Sequence, residues 1–420
     1  MSSQPNANPP PANAPTDQQY VQRGGKKTSS TTWIAVVVIV VAIIAVVAVG
    51  AMQGWFTSKS TSPGKTTSVG NIFQNCTGSV EFSGAGSTFV YPIMSSWASY
   101  ANQQSNGCLQ IAYSAVGSGT GISDLTTKTV DFGASDAPLS STQTAALPAA
   151  ALTIPDALGA VSVMYNLGVT LPTPLNLTGS VIAQIYQGNI TNWDDPQIAA
   201  LNHGDSLPNL AITTVHRLDG SGTTFVFTNF LSQASPWWKA NVGSGLSVSW
   251  PNLATTPLSE KGSTAVAGTV VNTKGAIGYA ELNYAKLGGV AYAAVANPAG
   301  NFILPNSTNT LAAAQAISSS LPAGNGNWAN VSIVNQAGAQ TYPLATLTYL
   351  MVYADLGKAY GSSLSMTQAQ WMIHFIWWAV TAGQSDSTGL FYVPLPPGIV
   401  TIDETTLHSI TYNGQALVTP

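Results

Sequence analysis

Three short stretches of this 420-residue chain place glycine and hydroxyl residues together: Gly84-Ala-Gly-Ser-Thr-Phe89, Gly117-Ser-Gly-Thr-Gly121 and Asp219-Gly-Ser-Gly-Thr-Thr-Phe225. Each follows strand-like sequence and leads into helix-like sequence. A helix start carries unsatisfied backbone N–H groups and a partial positive charge, so it attracts anions. One such turn alone is more often a helix cap. Three of them meeting in a cleft would surround a tetrahedral oxyanion with donors. Arg217 stands two residues before the third turn and is the only arginine after Arg23. Its planar fork suits two oxygens of one anion, and Asp219 is placed to hold that fork. Asp136, in Phe132-Gly-Ala-Ser-Asp-Ala-Pro138, adds a carboxylate. A carboxylate suits an anion site when the ligand carries a proton to donate. Phosphate does; fully ionised sulfate does not, and would leave a repelled charge unpaired.

The elements that must position these residues follow from apolar patterning. Strands are expected at 79–82, 109–114, 130–134, 157–165, 210–216 and 342–353, and helices at 88–102, 122–127, 181–187, 223–231, 311–321 and 366–382. A helix end and strand are expected around Lys274-Gly-Ala-Ile-Gly278. Strand, glycine turn and helix in repeated succession predict an α/β fold with helices on the sheet faces. Cys76 and Cys108, the only cysteines, each precede one of two adjacent strands at the same sheet edge, which permits a disulfide. Trp371, Phe375 and Trp378 share one side of the 366–382 helix and are expected in the core.

The N-terminal part has a different composition. Residues 1–32 are rich in Pro, Asn, Ala and Gln, end in Arg23, Lys26 and Lys27, and read as a disordered tail. Residues 33–52 then run without a charge, flanked by Trp33 and Trp55. Twenty apolar residues span the roughly 30 Å hydrocarbon core, and the preceding basic residues predict a cytosolic tail with the rest outside. A cleaved signal peptide is the alternative, but the preceding region is long for one. Residues 53–71 form a Ser/Thr linker. Its Gly64-Lys-Thr66 is not a phosphate loop, because Lys59 stands where that motif needs glycine. Sequons at Asn75, Asn176, Asn189, Asn306 and Asn330 agree with an outside location and a glycoprotein. With the low charge, the anchor and sequons point toward an archaeal surface protein.

Only 7% of residues are charged, against roughly 25% in ordinary soluble domains, and the net charge is −4. That excludes a basic nucleic-acid binder, and no nucleic-acid partner is expected. Beyond residue 53 the chain has 9 basic and 15 acidic residues. An anion site here must therefore rest on local dipoles, hydroxyls and one guanidinium rather than on overall field. An enzyme is disfavoured. No Gly-x-Ser-x-Gly elbow occurs, since Val116 and Asp219 precede Ser118 and Ser221 by two. His203, His216, His374 and His408 show no metal spacing, so neither a metal nor a cofactor is expected. His216 is read as a strand-end structural residue.

Gly84–Phe89, Val130–Leu139 and His216–Phe225, with Gly275–Glu281 and Tyr342-Pro-Leu344 as later landmarks, resemble the phosphate-binding proteins of ABC phosphate transporters. The resemblance covers about 75–353, and the order of motifs is preserved. It implies a two-lobed periplasmic-binding-protein-like fold of type II, with ligand in the interlobe cleft. The lobes would be 72–157 plus 286–420, and 158–285. The implied ligand set is Thr88 and Phe89, Ser118, Asp136, Arg217, and Ser221, Gly222 and Thr223, with Asp219 orienting Arg217. The second turn departs from the usual pattern at Gly119 and Thr120. The implied partners are inorganic phosphate and the permease subunits, with the membrane reached through residues 33–52. Sulfate or molybdate reception and a non-transport surface role are the alternatives.

Overall fold

The computed structural model describes residues 72–251 and 257–417. The expected tail, membrane segment and linker at 1–71 lie outside the described residues. Among those described, no helix is long and apolar enough to cross a membrane.

The first half alternates strand and helix: β1 (Val80–Gly86), α1 (Tyr91–Gln104), β2 (Leu109–Ser114), α2 (Ser118–Thr127) and β3 (Phe132–Ser135). β4 (Ala151–Tyr165) follows, then α3 (Gly179–Gln187), β5 (Thr213–Arg217), α4 (Gly222–Ala234), β6 (Leu258–Glu260), α5 (Gly262–Asn272), β7 (Ala276–Glu281) and α6 (Leu282–Gly288). β8 (Ala345–Tyr353), α7 (Met366–Val380) and α8 (Pro397–His408) complete the main elements. The sheet order is β2-β1-β3-β8-β4-β7-β5-β6, with Ala291–Tyr292 also pairing with β4. Strands β1, β2 and β3 are parallel, as are β5, β6 and β7; β8 and β4 run antiparallel to their neighbours.

β4 ties the molecule together. Its residues 151–160 pair with β8 and residues 161–165 with β7, so one 15-residue strand belongs to both halves of the sheet. At about 3.3 Å per residue it is about 50 Å long. All but its first residue are buried, which accounts for its nearly unbroken apolar sequence. Pro155 lacks an N–H for the ladder, and the register shifts there: Thr348 faces Ala157 and Tyr349 faces Pro155. Asp156 is the extra residue of this bulge. Its backbone carbonyl accepts from Gln384 Nε2 at 2.9 Å, and its Oδ1 accepts from Thr348 Oγ1 at 2.5 Å.

The chain after α6 remains beside the second half for a stretch. Ala294–Ala296 pairs with Asn176–Leu177 and with Phe302–Ile303 before β8 rejoins the first half. The C-terminal segment covers the first half. Phe375 of α7 packs on Phe82 of β1 with ring centroids 5.9 Å apart, and Trp378 stacks on Tyr100 of α1 at 4.6 Å. Trp97 Nε1 donates to the Gly383 carbonyl at 2.8 Å. Phe375 and Trp378 are buried and Trp371 is partly so, which matches the core face expected of this helix. Cys76 and Cys108 are bridged, with Cα atoms 5.9 Å apart, at the ends of β1 and β2 where those strands begin.

Several boundaries differ from the sequence expectation. β4 begins six residues before 157, because β8 covers its N-terminal half. α2 begins at Ser118 rather than 122, since glycines that disfavour a free helix are tolerated where the turn packs against β1. β6 and α8 carried no clear periodic signal: β6 is three residues long, and α8 opens on Pro396 and Pro397.

Candidate functional site

The site lies at the C-terminal ends of β1, β3 and β5, where parallel strands hand over to helices. In open α/β sheets that is where ligands bind. The three glycine turns come together there. Gly86 has φ 143°, and a side chain on it would collide with the Ala134 carbonyl of β3. Glycine therefore lets β1 turn into α1 against its neighbour. The second turn meets the third directly, with Gly119 N donating to Gly220 O at 2.9 Å. At Gly222 a Cβ would stand 2.7 Å from Asp136 Oδ2, so the start of α4 lies against that carboxylate only because it is glycine.

Arg217 is 4% exposed. Its Nε donates to Asp219 Oδ1 at 2.7 Å and its Nη2 to Asp219 Oδ2, a two-pronged pair. Nη1 reaches Thr88 Oγ1 at 3.2 Å and Ser263 Oγ at 3.1 Å. A guanidinium has five N–H donors, so one on Nη2 is left over. Burial works against the Arg217 charge, but the Asp219 hydrogen bonds and charge outweigh it and hold the group firmly protonated. Asp219 is itself half-buried, yet Arg217 and the Gly262 N–H keep its carboxyl below the ordinary range.

Asp136 is 2% exposed and its Oδ1 accepts from Ser87 Oγ. Burial first, then the nearby Glu281 charge, push it well above the ordinary carboxyl range; Ser87 and Arg217 pull it back only partly. Ser118 Oγ accepts from Gly222 N at 3.1 Å and from Asp136 N at 3.3 Å, so one hydroxyl joins the second turn, the third turn and the Asp136 segment. The remaining residues of the expected set point in different directions. Phe89 N donates to Ser87 Oγ at 2.9 Å, while its ring packs on Tyr392. Ser221 Oγ caps α4 by accepting from Thr224 N at 3.2 Å. Thr223 Oγ1 lies 2.6 Å from Glu281 Oε1. His216 stacks on Trp250 at 4.6 Å and its Nδ1 lies 3.1 Å from the Arg217 carbonyl oxygen. Burial lowers its proton affinity.

Sequence reasoning missed four contributors. Ser87 is the partner of Asp136. Ser263, at the start of α5, shares Arg217 Nη1 and lies 3.0 Å from Thr88 Oγ1. Its Glu260-Lys-Gly-Ser263 context is a fourth strand–glycine–hydroxyl–helix turn, hidden by the shortness of β6. Glu281 is buried at the end of β7, and Tyr284 donates to the Thr88 carbonyl at 2.8 Å. Gly275–Glu281 was singled out as a landmark, but nothing in its pattern showed that the glutamate reaches the site.

Two sheet halves on a shared strand, with four turns and a buried guanidinium between them, define a solute-binding protein with an anion-adapted crevice. A family model described as a PBP superfamily domain matches residues 58–382. The phosphate-binding protein PstS of Xylella fastidiosa (strain 9a5c) is 38% identical over 330 residues, covering 77% of this chain and 84% of its own. The Pasteurella multocida (strain Pm70) protein of that name is 38% identical over 317 residues, covering 76% and 87%. The solved phosphate-binding protein from Stenotrophomonas maltophilia shares the fold, with a TM-score of 0.58 at 18% identity over 80% of this chain and all of its own. The chain belongs to the phosphate-binding proteins of ABC phosphate transporters. Its fold is the α/β two-lobed periplasmic-binding-protein-like fold.

Proposed function

We propose that this protein captures inorganic phosphate outside the cell and delivers it to the permease of an ABC importer, without catalysing a reaction. The observation that carries this reading is the buried Arg217, gripped by Asp219 and shared with Thr88 and Ser263, in a site that also holds the buried Asp136 carboxyl. The ligand set is Thr88, Phe89, Ser118, Asp136, Arg217, Ser221, Gly222 and Thr223. Within the set Arg217 bonds Thr88, and Ser118 bonds Gly222 and Asp136; Phe89, Ser221 and Thr223 bond Ser87, Thr224 and Glu281 outside it, and an anion would exchange for some of those partners. The type II assignment is supported by the antiparallel β8 within an otherwise parallel first half. Phosphate entry would open and close the lobes, 72–157 with the C-terminal part against 158–285, about β4 and the return into β8. Residues 33–52 anchor the protein with its N-terminus in the cytosol, and the sequons and low charge suit an archaeal glycoprotein.

Calorimetric titration with phosphate and sulfate tests the reading. With Asp136 ionised, the ligand must bring the shared proton, so phosphate binds and sulfate does not. As pH falls through the raised Asp136 titration, the carboxyl carries its own proton and can donate to sulfate, so discrimination shrinks. No heat with phosphate at any pH, or equal affinity for sulfate at the alkaline end, would sink the idea.

A further inference from the structure

The site contains a second buried carboxyl to which the phosphate reading assigns no role. Glu281 is 1% exposed at the end of β7. Its Oε1 lies 2.6 Å from Thr223 Oγ1, and its Oε2 has no hydrogen-bond partner among the described residues. The groups facing it come from every side. Arg217 comes from β5, where Asp219 grips it, Thr223 from the start of α4, Ser263 from α5 and Tyr284 from α6. Asp136 and Tyr392 lie on the first-half side. If all were ionised, three carboxylates would surround one guanidinium before any anion arrived. Asp136 and Glu281 repel when both are charged, so one of them takes a proton; Asp136 must be ionised to accept the ligand's proton, which leaves that proton on Glu281.

Thr223 makes the protonation state consequential. A threonine hydroxyl has one hydrogen. If Glu281 is ionised it must take that hydrogen, and Thr223 can then only accept from a ligand. Phosphate oxygens need donors. We propose that Glu281 is a positioning residue: carrying its own proton, it donates to Thr223 Oγ1 and frees the Thr223 hydroxyl to donate to bound phosphate. Loss of the Glu281 proton reverses that hydrogen bond and adds a negative charge beside the anion. Burial, only partly offset by Thr223, Ser263 and Arg217, raises its proton affinity above the ordinary glutamate range, in the direction this role requires. Thus the site reads pH through a group that need not touch the ligand.

The inference rests on the phosphate reading, and two measurements separate the fate of each. Phosphate affinity is compared between wild type and Glu281→Gln from about pH 5 to about pH 9, a span that brackets buried carboxyls. Both proteins see the same mixture of phosphate ions, so that titration cancels in the ratio. The glutamine amide donates to Thr223 at every pH. The ratio of wild-type to variant Kd should therefore climb by about tenfold or more with pH, the worth of one hydrogen bond to a charged ligand. A flat ratio overturns the proposal. Thr223→Val gives a second handle: it should weaken binding at low pH and much less at high pH, and equal loss at both ends overturns the relay. Infrared difference spectra of wild type minus Glu281→Gln, without phosphate, should show a carboxylic-acid carbonyl band at neutral pH. Absence of that band overturns the proposal. If wild type binds no phosphate at any pH, the phosphate reading fails, and the band still decides the protonation of Glu281.

Discussion

Replacing Arg217 with alanine removes the only guanidinium beyond residue 23 and should nearly abolish phosphate binding. The side chain is 1% exposed, so its bonds to an anion would form away from competing water. An anion entering between Thr88 and Ser263 would meet the Nη1 hydrogens and the uncommitted Nη2 hydrogen. Two charge-assisted hydrogen bonds at about 1.5–3 kcal/mol each give about 3–6 kcal/mol, or roughly a 10²- to 10⁴-fold rise in Kd. The variant should remain folded. Asp219 is half-buried and keeps the Gly262 N–H at 3.1 Å, so its charge is not stranded when Arg217 is lost. Arg217→Lys should fall between, because an ammonium supplies charge without the fork that Asp219 grips. Calorimetry gives the affinity, and thermal unfolding with circular dichroism checks the fold. A folded Arg217→Ala protein that loses less than about tenfold, roughly 1.4 kcal/mol, would refute the clamp.

Two stability predictions concern regions away from the crevice. Burial pushes Asp156 up to about 7, with Thr348 and backbone bonds offsetting it only partly, and Asp403 is raised in the same direction by burial and by Asp156. A carboxyl held above its unfolded value stabilises the fold fully below about pH 4 and loses that contribution as pH rises to about 7, here about 4 kcal/mol. Urea melts of wild type against Asp156→Asn should show the variant with a flatter profile between those limits; parallel profiles would contradict this. The Cys76–Cys108 bridge closes a 32-residue separation, and the double Cys→Ser variant should lose about 3–4 kcal/mol in the chain-entropy account. Because the bridge lies at the strand starts and the site at their ends, phosphate affinity should barely move, and a tenfold change there would contradict the placement.

Much of the site was legible in the sequence because its chemistry is local. A strand–glycine–hydroxyl–helix turn is a contiguous pattern, and a single arginine in a chain poor in charge stands out. The Arg217–Asp219 grip spans two residues and needs no knowledge of the rest of the molecule. Ser263 belongs to the same kind of turn but follows a strand of three residues, too short for alternation to register. Glu281 and Tyr284 gave no signal, since a strand-end glutamate and a helical tyrosine look the same whether they face solvent or a ligand.

The sequence by itself determined the local parts: the turns, the guanidinium with its carboxylate, the strand-start cysteines and the apolar core of α7. Tertiary structure decided how they combine. Only the pairing of one half of β4 with β8 and the other with β7 makes it a shared strand. Only the docking of the second turn on the third lets Ser118 bond both Asp136 and Gly222. Burial then sets proton affinities, because desolvation depends on everything packed around a group and not on its neighbours along the chain. Glu281 and Asp156 acquire their raised values in that way: burial raises both, and hydrogen bonds to Thr223 and Thr348, 58 and 192 residues away along the chain, offset it only partly.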